Sequence, residues 1–215
     1  MHILDEITQD HDALTTIRRD IHAHPELCFH EERTADVVEA ELKRLGLETH
    51  RGLGTTGVVG VIRGAQGPGR SIGLRADMDA LPMQELNTFA HASQHAGKMH
   101  ACGHDGHTAM LLGAARHLAK HRDFSGTVVL IFQPAEEGGG GAREMIKDGL
   151  LDRFPMDAVF AIHNWPGLPV GSLAVSSGPV MASSNDFHIS VQGKGAHAAM
   201  PHLGLDPVPV ACQIV

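Results

Sequence analysis

The eleven residues "MHACGHDGHTA", Met99 to Ala109, hold three histidines, a cysteine, an aspartate and two glycines. Thiolate and imidazole are the side chains that take up borderline and soft divalent cations, so Cys102 and His104 are the first pair to weigh. Two positions apart on a helix they would point about 200° away from each other and could not share an ion. In an extended or turning segment they can face one point, and Gly103 between them lets the backbone bend tightly. Taken alone, the stretch reads equally as a histidine-rich loop of loose metal affinity, with His91, His95 and His100 close by.

Two further places carry chemistry. The apolar run "TVVLIFQ" leads into "PAEEGGGGA", which sets the adjacent carboxylates Glu136 and Glu137 just past it, before four glycines. One reading is a solvated loop. The other is a division of labour, one carboxylate on a metal and its neighbour on a proton. The run "DAVFAIH" ends in His163, and "GLRAD" is followed by Asp79. An isolated histidine at a strand end is by default structural. In open α/β sheets, however, sites form beyond the carboxyl ends of the strands, and Glu136, Glu137, His163 and Asp79 all fall there. That convergence of separate segments favours a metal site over unrelated loops.

The elements that must position these residues can be read from periodicity. Asp5 to Asp20 and Glu31 to Leu45 have helical spacing, the second closed by Gly46. "GVVGVIRG" (Gly57 to Gly64) and "SIGLRAD" (Ser71 to Asp77) are short β-branched runs bounded by turn residues. Thr108 to His121 and "GAREMIKDGL" are helices. Thr127 to Gln133 and Asp157 to His163 are continuous apolar runs, expected to be strands buried on both faces. Alternating strands and helices imply an α/β layered fold with a mostly parallel sheet and flanking helices.

After Ser176 the texture changes. "SSGPVMASS" reads as a linker, and Asp186 to Gly195 alternates Phe187, Ile189 and Val191 with polar residues, the pattern of a strand with one wet face. Asp206 and Pro207 read as the N-cap and first position of a helix. The expected division is residues 1–181 and residues 182–215, the latter the start of a smaller α+β domain.

Composition excludes some classes. The 215 residues carry a net charge of −8 with no basic block, so there is no electrostatic footprint for nucleic acid. No apolar run reaches membrane-spanning length, and the polar N-terminus has no signal-peptide core. Cys28, Cys102 and Cys212 are too few and scattered for a disulfide framework; a cytoplasmic protein is the simplest reading.

"MHACGHDGHTAMLLGAA", "QPAEEGGGGA", "AIHNWP" and "GKGAHAAMPH", preceded by "RRDIHAHPEL" and "LRADMDALP", together resemble the metal-dependent amidohydrolases of the M20 peptidase family, in the branch of hippurate hydrolase, N-acyl-amino-acid amidohydrolases and auxin-conjugate hydrolases. The resemblance covers essentially the whole chain. It implies a zinc-peptidase-like catalytic domain over residues 1–181 and the start of a lid or dimerisation domain over 182–215. It implies metal ligands at Cys102, His104, Glu137 and His163, a general base at Glu136, and a lid histidine, His197, on the substrate carbonyl oxygen. It implies two divalent ions, Zn²⁺ or Mn²⁺ with Co²⁺ or Ni²⁺ as alternatives, a small N-acyl amino acid as substrate, and a homodimer formed through the lid. His100, Asp105 and His107 are expected to hold rings and backbone in place, and His22 and His24 of "HAHPE" to be structural. Asp77 stands where the wider family has a metal-binding histidine, so no ligand is assigned there. A further family ligand lies downstream of Val215. The 215-residue chain is therefore expected to be a fragment or a truncated homologue, and a poor catalyst by itself. The alternatives are a metal-binding fragment without activity, or an aminopeptidase or dipeptidase of the same family.

Overall fold

The computed structural model describes residues 3–183, 185 and 187–214. Two compact units divide between Pro166 and Gly167. In the first, helices α1 (Ile3–Ala23) and α2 (Glu32–Arg44) precede strands β1 (Glu48–Leu53), β2 (Gly57–Arg63) and β3 (Ser71–Asp77). Helix α3 (His104–Lys120), strand β4 (Thr127–Gln133), helices α4 (Gly141–Lys147) and α5 (Leu150–Arg153) and strand β5 (Ala158–Ala161) follow. Helix α2 stops where the glycine predicted it. Gly46 adopts φ +69°, and the Leu47 N–H reaches back to Leu42 O at 3.1 Å, the left-handed helix ending that glycine reaches without steric cost.

The five strands lie in the order β1-β2-β4-β3-β5. β3 pairs in parallel with both β4 and β5, while β2 is antiparallel to β4 and to β1. Four strands therefore run in one direction and β2 alone is reversed, giving the α/β layered, mostly parallel sheet. Strand alternation splits the core into two faces. Val58, Ile62, Val128, Leu130 and Phe132 pack with α2 and α3 residues such as Val38, Leu42 and Leu112. Val59, Val61, Val129 and Ile131 face Met145, Leu150 and Phe154 on the other side. This is why β2 and β4 read as unbroken apolar runs: both faces are covered.

Two expectations need correction. β1 was not visible in the sequence, because "ETHRGL" is polar; its strand lies at one sheet edge, paired by its backbone to β2 and by Arg51 to the carboxylates Glu32, Asp36 and Glu39 of α2. The run Asp157 to His163 was expected to be a strand buried on both faces. It forms only the four-residue edge strand β5, with Val159 51% and Phe160 57% exposed. An apolar run records that a strand is suited to cover, but not which element supplies it.

The second unit contains a 3-10 turn at Pro201–Leu203 and helix α6 (Pro207–Ile214). Asp206 Oδ1 accepts the Val208 N–H at 3.0 Å, the capping role its position suggested. The strand expected across Asp186 to Gly195 is not formed among the described residues, and Asp186 lies outside them. Lys194 makes only an isolated bridge with Leu205, and Phe187 is 85% exposed. Alternation alone does not make a strand; a neighbouring strand must take up its backbone groups. Among the described residues no helix is long and apolar enough to cross a membrane.

Candidate metal centre

The parallel register places Asp77, the last residue of β3, beside Gln133, the last of β4. Chain segments leaving β3, β4 and β5 therefore emerge at the same sheet edge, where α3 also begins. Helix α3 starts at His104, four residues earlier than its periodicity indicated, with Gly103 as N-cap in a left-handed conformation, φ +91°. The expected bend between Cys102 and His104 is thus made by Gly103. A Cβ there would also lie 2.3 Å from Asn164 Oδ1. Gly103→Ala is expected to lower stability by about 1–2 kcal/mol from the conformational strain alone, with the clash added, as read by urea unfolding. Wild-type stability in that variant would show that the bend tolerates a side chain.

Cys102, His104 and His163 bring one ligand atom each to within 4.8 Å of one another, and so do His104, Glu136 and Glu137. Cys102 Sγ lies 3.4 Å from His163 Nε2. His104 Nε2 lies 3.7 Å from Glu137 Oε1 and 3.9 Å from Glu136 Oε2. Three segments distant in sequence thus meet around His104. His197 sits in the second unit, its Nδ1 accepting the Ala199 N–H at 3.1 Å and its ring exposed.

The tautomers are set from outside the cluster. His104 Nδ1 donates to the Asp79 backbone carbonyl at 2.8 Å, and His163 Nδ1 donates to the Asn164 carbonyl at 2.7 Å. Each ring therefore turns a bare Nε2 lone pair inward, the arrangement by which a hydrogen bond on one ring nitrogen prepares the other for a metal. His107 Nδ1 donates to Asp77 Oδ1 at 2.6 Å and its Nε2 accepts the Asn164 N–H at 3.1 Å, so it is spent on support. His22 joins Asp105 at 2.9 Å and Glu85 at 3.1 Å, so both of its ring nitrogens are engaged by carboxylates.

The donor set fits a cation. His104 Nε2 and Glu137 Oε1 are buried with no hydrogen-bond partner, and a polar atom without a partner in the interior is costly. Around His104, burial disfavours the imidazolium, but the hydrogen bond to Asp79 and the charges of Asp77, Asp79 and Glu137 hold its pKa above the ordinary value. Burial, then the charge and hydrogen bond of Glu137, push the Cys102 thiol up to about 12. Excess negative charge, lone pairs facing one another and a thiol in their midst form a pocket that a divalent cation would neutralise.

Two carboxylates outside the expected ligand set, Asp79 and Glu31, hold the Glu136–Glu137 turn. Asp79 Oδ1 and Oδ2 accept the backbone N–H groups of Glu136 and Glu137, each at 2.9 Å. Buried Glu31 accepts the Ala135 N–H at 2.9 Å and the Thr56 hydroxyl at 2.5 Å. Ala135 has φ +51°, a strained value for a side-chain-bearing residue that these bonds maintain. Asp79 was noticed for its place after a strand; nothing in the sequence marked Glu31, which accepts the nearby Phe29 N–H but whose other partners lie 25 and 104 positions away.

Residues 73–211 match the model of peptidase family M20/M25/M40. The chain belongs to that family. Its M20 relatives include the hippurate hydrolase of Campylobacter jejuni, 44% identical over 100% of this chain and 56% of that protein. The N-acyl-L-amino acid amidohydrolase of Geobacillus stearothermophilus is 45% identical over 99% of this chain and 56% of its own length. Among solved structures, the Bacillus subtilis YXEP protein, described as a dinuclear metal-binding peptidase of the M20 family, superposes with a TM-score of 0.76 at 43% identity over 80% of this chain and 48% of that one. The chain spans about half the length of the curated relatives it matches.

Proposed function

We propose that this chain carries the catalytic centre of a metal-dependent amidohydrolase that cleaves the amide bond of small N-acyl amino acids such as benzoylglycine. The observation that carries this reading is the unlike setting of two adjacent carboxylates. Glu137 is mostly buried, its orphaned Oε1 turned to His104, whereas the Glu136 side chain is 43% exposed. One is placed to hold a cation and the other to meet water and substrate.

Cys102, His104, Glu137 and His163 would hold the metal, one or two divalent ions, whose chemistry is to lower the pKa of a water towards neutrality and to polarise a carbonyl. Thiolate, imidazole and carboxylate together suit Zn²⁺, and Mn²⁺ is the second candidate, with Co²⁺ and Ni²⁺ following. Glu136 takes the proton from the attacking water as its oxygen bonds to the amide carbon. It then delivers that proton to the nitrogen as the C–N bond breaks, since an amine anion is too poor a leaving group. The products are a carboxylate and a free amino acid. His197 is assigned as donor to the developing oxyanion. Residues 1–181 form the catalytic domain in this reading and 182–215 the beginning of a lid through which two copies pair. The three free cysteines fit a reducing compartment, the cytoplasm.

The test is release of glycine from benzoylglycine by the gene product that contains this chain. After exhaustive chelation, activity should vanish, and Zn²⁺ or Mn²⁺ should restore it. Full metal uptake without hydrolysis of any N-acyl amino acid would overturn the amidohydrolase reading and leave a metal-binding protein.

A further inference from the structure

A second group of ligand-type side chains lies at the opposite end of α3. Glu6 of α1, His117 in the last turn of α3 and His121 at its C-cap bring one ligand atom each to within 4.8 Å of one another. Thirteen residues of helix separate His117 from His104, about 20 Å at 1.5 Å per residue, so this group is independent of the centre described above. His117 and His121 are four positions apart and share one helix face; their ring centroids are 4.5 Å apart. His117 Nδ1 and His121 Nε2 both donate to the same oxygen, Glu6 Oε2, at 3.1 and 2.6 Å.

We infer that Glu6, His117 and His121 form a second site for a late first-row divalent cation, of the Zn²⁺, Co²⁺, Ni²⁺ or Cu²⁺ class. Two imidazole nitrogens and one carboxylate oxygen are the donors such ions favour. The point on which they converge is filled by the two ring N–H protons. A tautomer change on each neutral ring turns both lone pairs to that point without loss of a proton. Bonds of about 2.0–2.1 Å to zinc set donor atoms roughly 3.3 Å apart, so the 2.6 Å contact of His121 with Glu6 must open by roughly 0.7 Å. The half-exposed His121 side chain has room for this. Among the described residues, neighbouring cations are engaged elsewhere. Arg116 pairs with Asp10 and Glu41, and Lys120 with Asp10.

An ion there would fasten α1 to α3. The same α1 delivers Arg18 and His22 to Asp105, next to His104, so the role is structural, a clamp on the helix pair beneath the metal centre. A ligand that binds only the folded state adds stability by mass action.

The test uses chelator-stripped gene product containing this chain, dialysed against Zn²⁺. Wild type should retain one zinc per chain more than His117→Gln/His121→Gln, in which Cys102, His104, Glu137 and His163 are intact. Glu6→Gln should weaken that extra zinc about tenfold or more. In wild type, the imidazole nitrogen signals of His117 and His121, assigned with single variants, should shift as that equivalent binds. Equal zinc content in wild type and double variant would overturn the inference. So would unshifted His117 and His121 signals at saturating Zn²⁺, a measurement that stands even if the double variant does not fold.

Discussion

Glu136→Gln should keep its metal and lose about 10²–10⁴-fold in kcat on benzoylglycine, the usual contribution of a positioned acid–base group. The amide is the same size as the carboxylate and preserves the loop, whose backbone N–H is fixed by Asp79 and not by the Glu136 side chain. What it removes is the capacity to accept the proton of the attacking water. Glu137→Gln is expected to differ in kind. Its Oε1 faces His104 Nε2 at 3.7 Å without any other partner, so the charge lost there is the charge that would hold the cation. That variant should lose metal as well as turnover. Metal content by elemental analysis beside kcat for both variants decides the matter. Equal metal loss in the two, or near-normal turnover in Glu136→Gln, would show that the neighbouring carboxylates do not divide the work.

Asp79→Asn should lower metal affinity about 10–100-fold, although Asp79 is not assigned as a ligand. Its two oxygens accept from the Glu136 and Glu137 backbone, and Oδ2 also accepts from the Cys28 thiol at 3.2 Å. Asparagine must turn its NH₂ towards one of those two backbone N–H groups, donor against donor. A buried donor left unsatisfied costs about 1–3 kcal/mol, and the turn that aims both glutamates would relax to avoid it. Burial opposes charge on Asp79, yet the hydrogen bonds from His104 and from the Glu137 and Glu136 amides keep its pKa below the ordinary value. Asp79→Ala removes the acceptor altogether and should cost about 3–5 kcal/mol, as does breaking a buried charged network. Chelator competition with Zn²⁺ and urea unfolding measure the two effects. A folded Asp79→Asn protein with wild-type affinity would remove Asp79 from the support of the site.

Much of this was legible in the sequence because the residues in question act locally. Gly103 allows a bend between Cys102 and His104 whatever surrounds it, since only glycine reaches φ +91° without strain. β2 and β4 are continuous apolar runs because each side of the strand enters a core, and Glu136, Glu137 and His163 follow strands whose parallel course sends them to one edge. The sequence also determined the family, through several motifs in a fixed order. Only the tertiary structure decided what supports these residues and what covers them. Asp79 was marked only by its place after a strand and Glu31 by nothing; the work of both lies in bonds to chain segments far away. β1 is polar and exists through pairing to β2, whereas β5 is apolar and lies exposed at the opposite edge. The pairing of Glu6 with His117 and His121 depends on the docking of α1 against α3. Hydrophobic period reports what a segment could bury; long-range hydrogen bonds and strand order depend on which segments meet, and one stretch of chain read alone does not contain its partners.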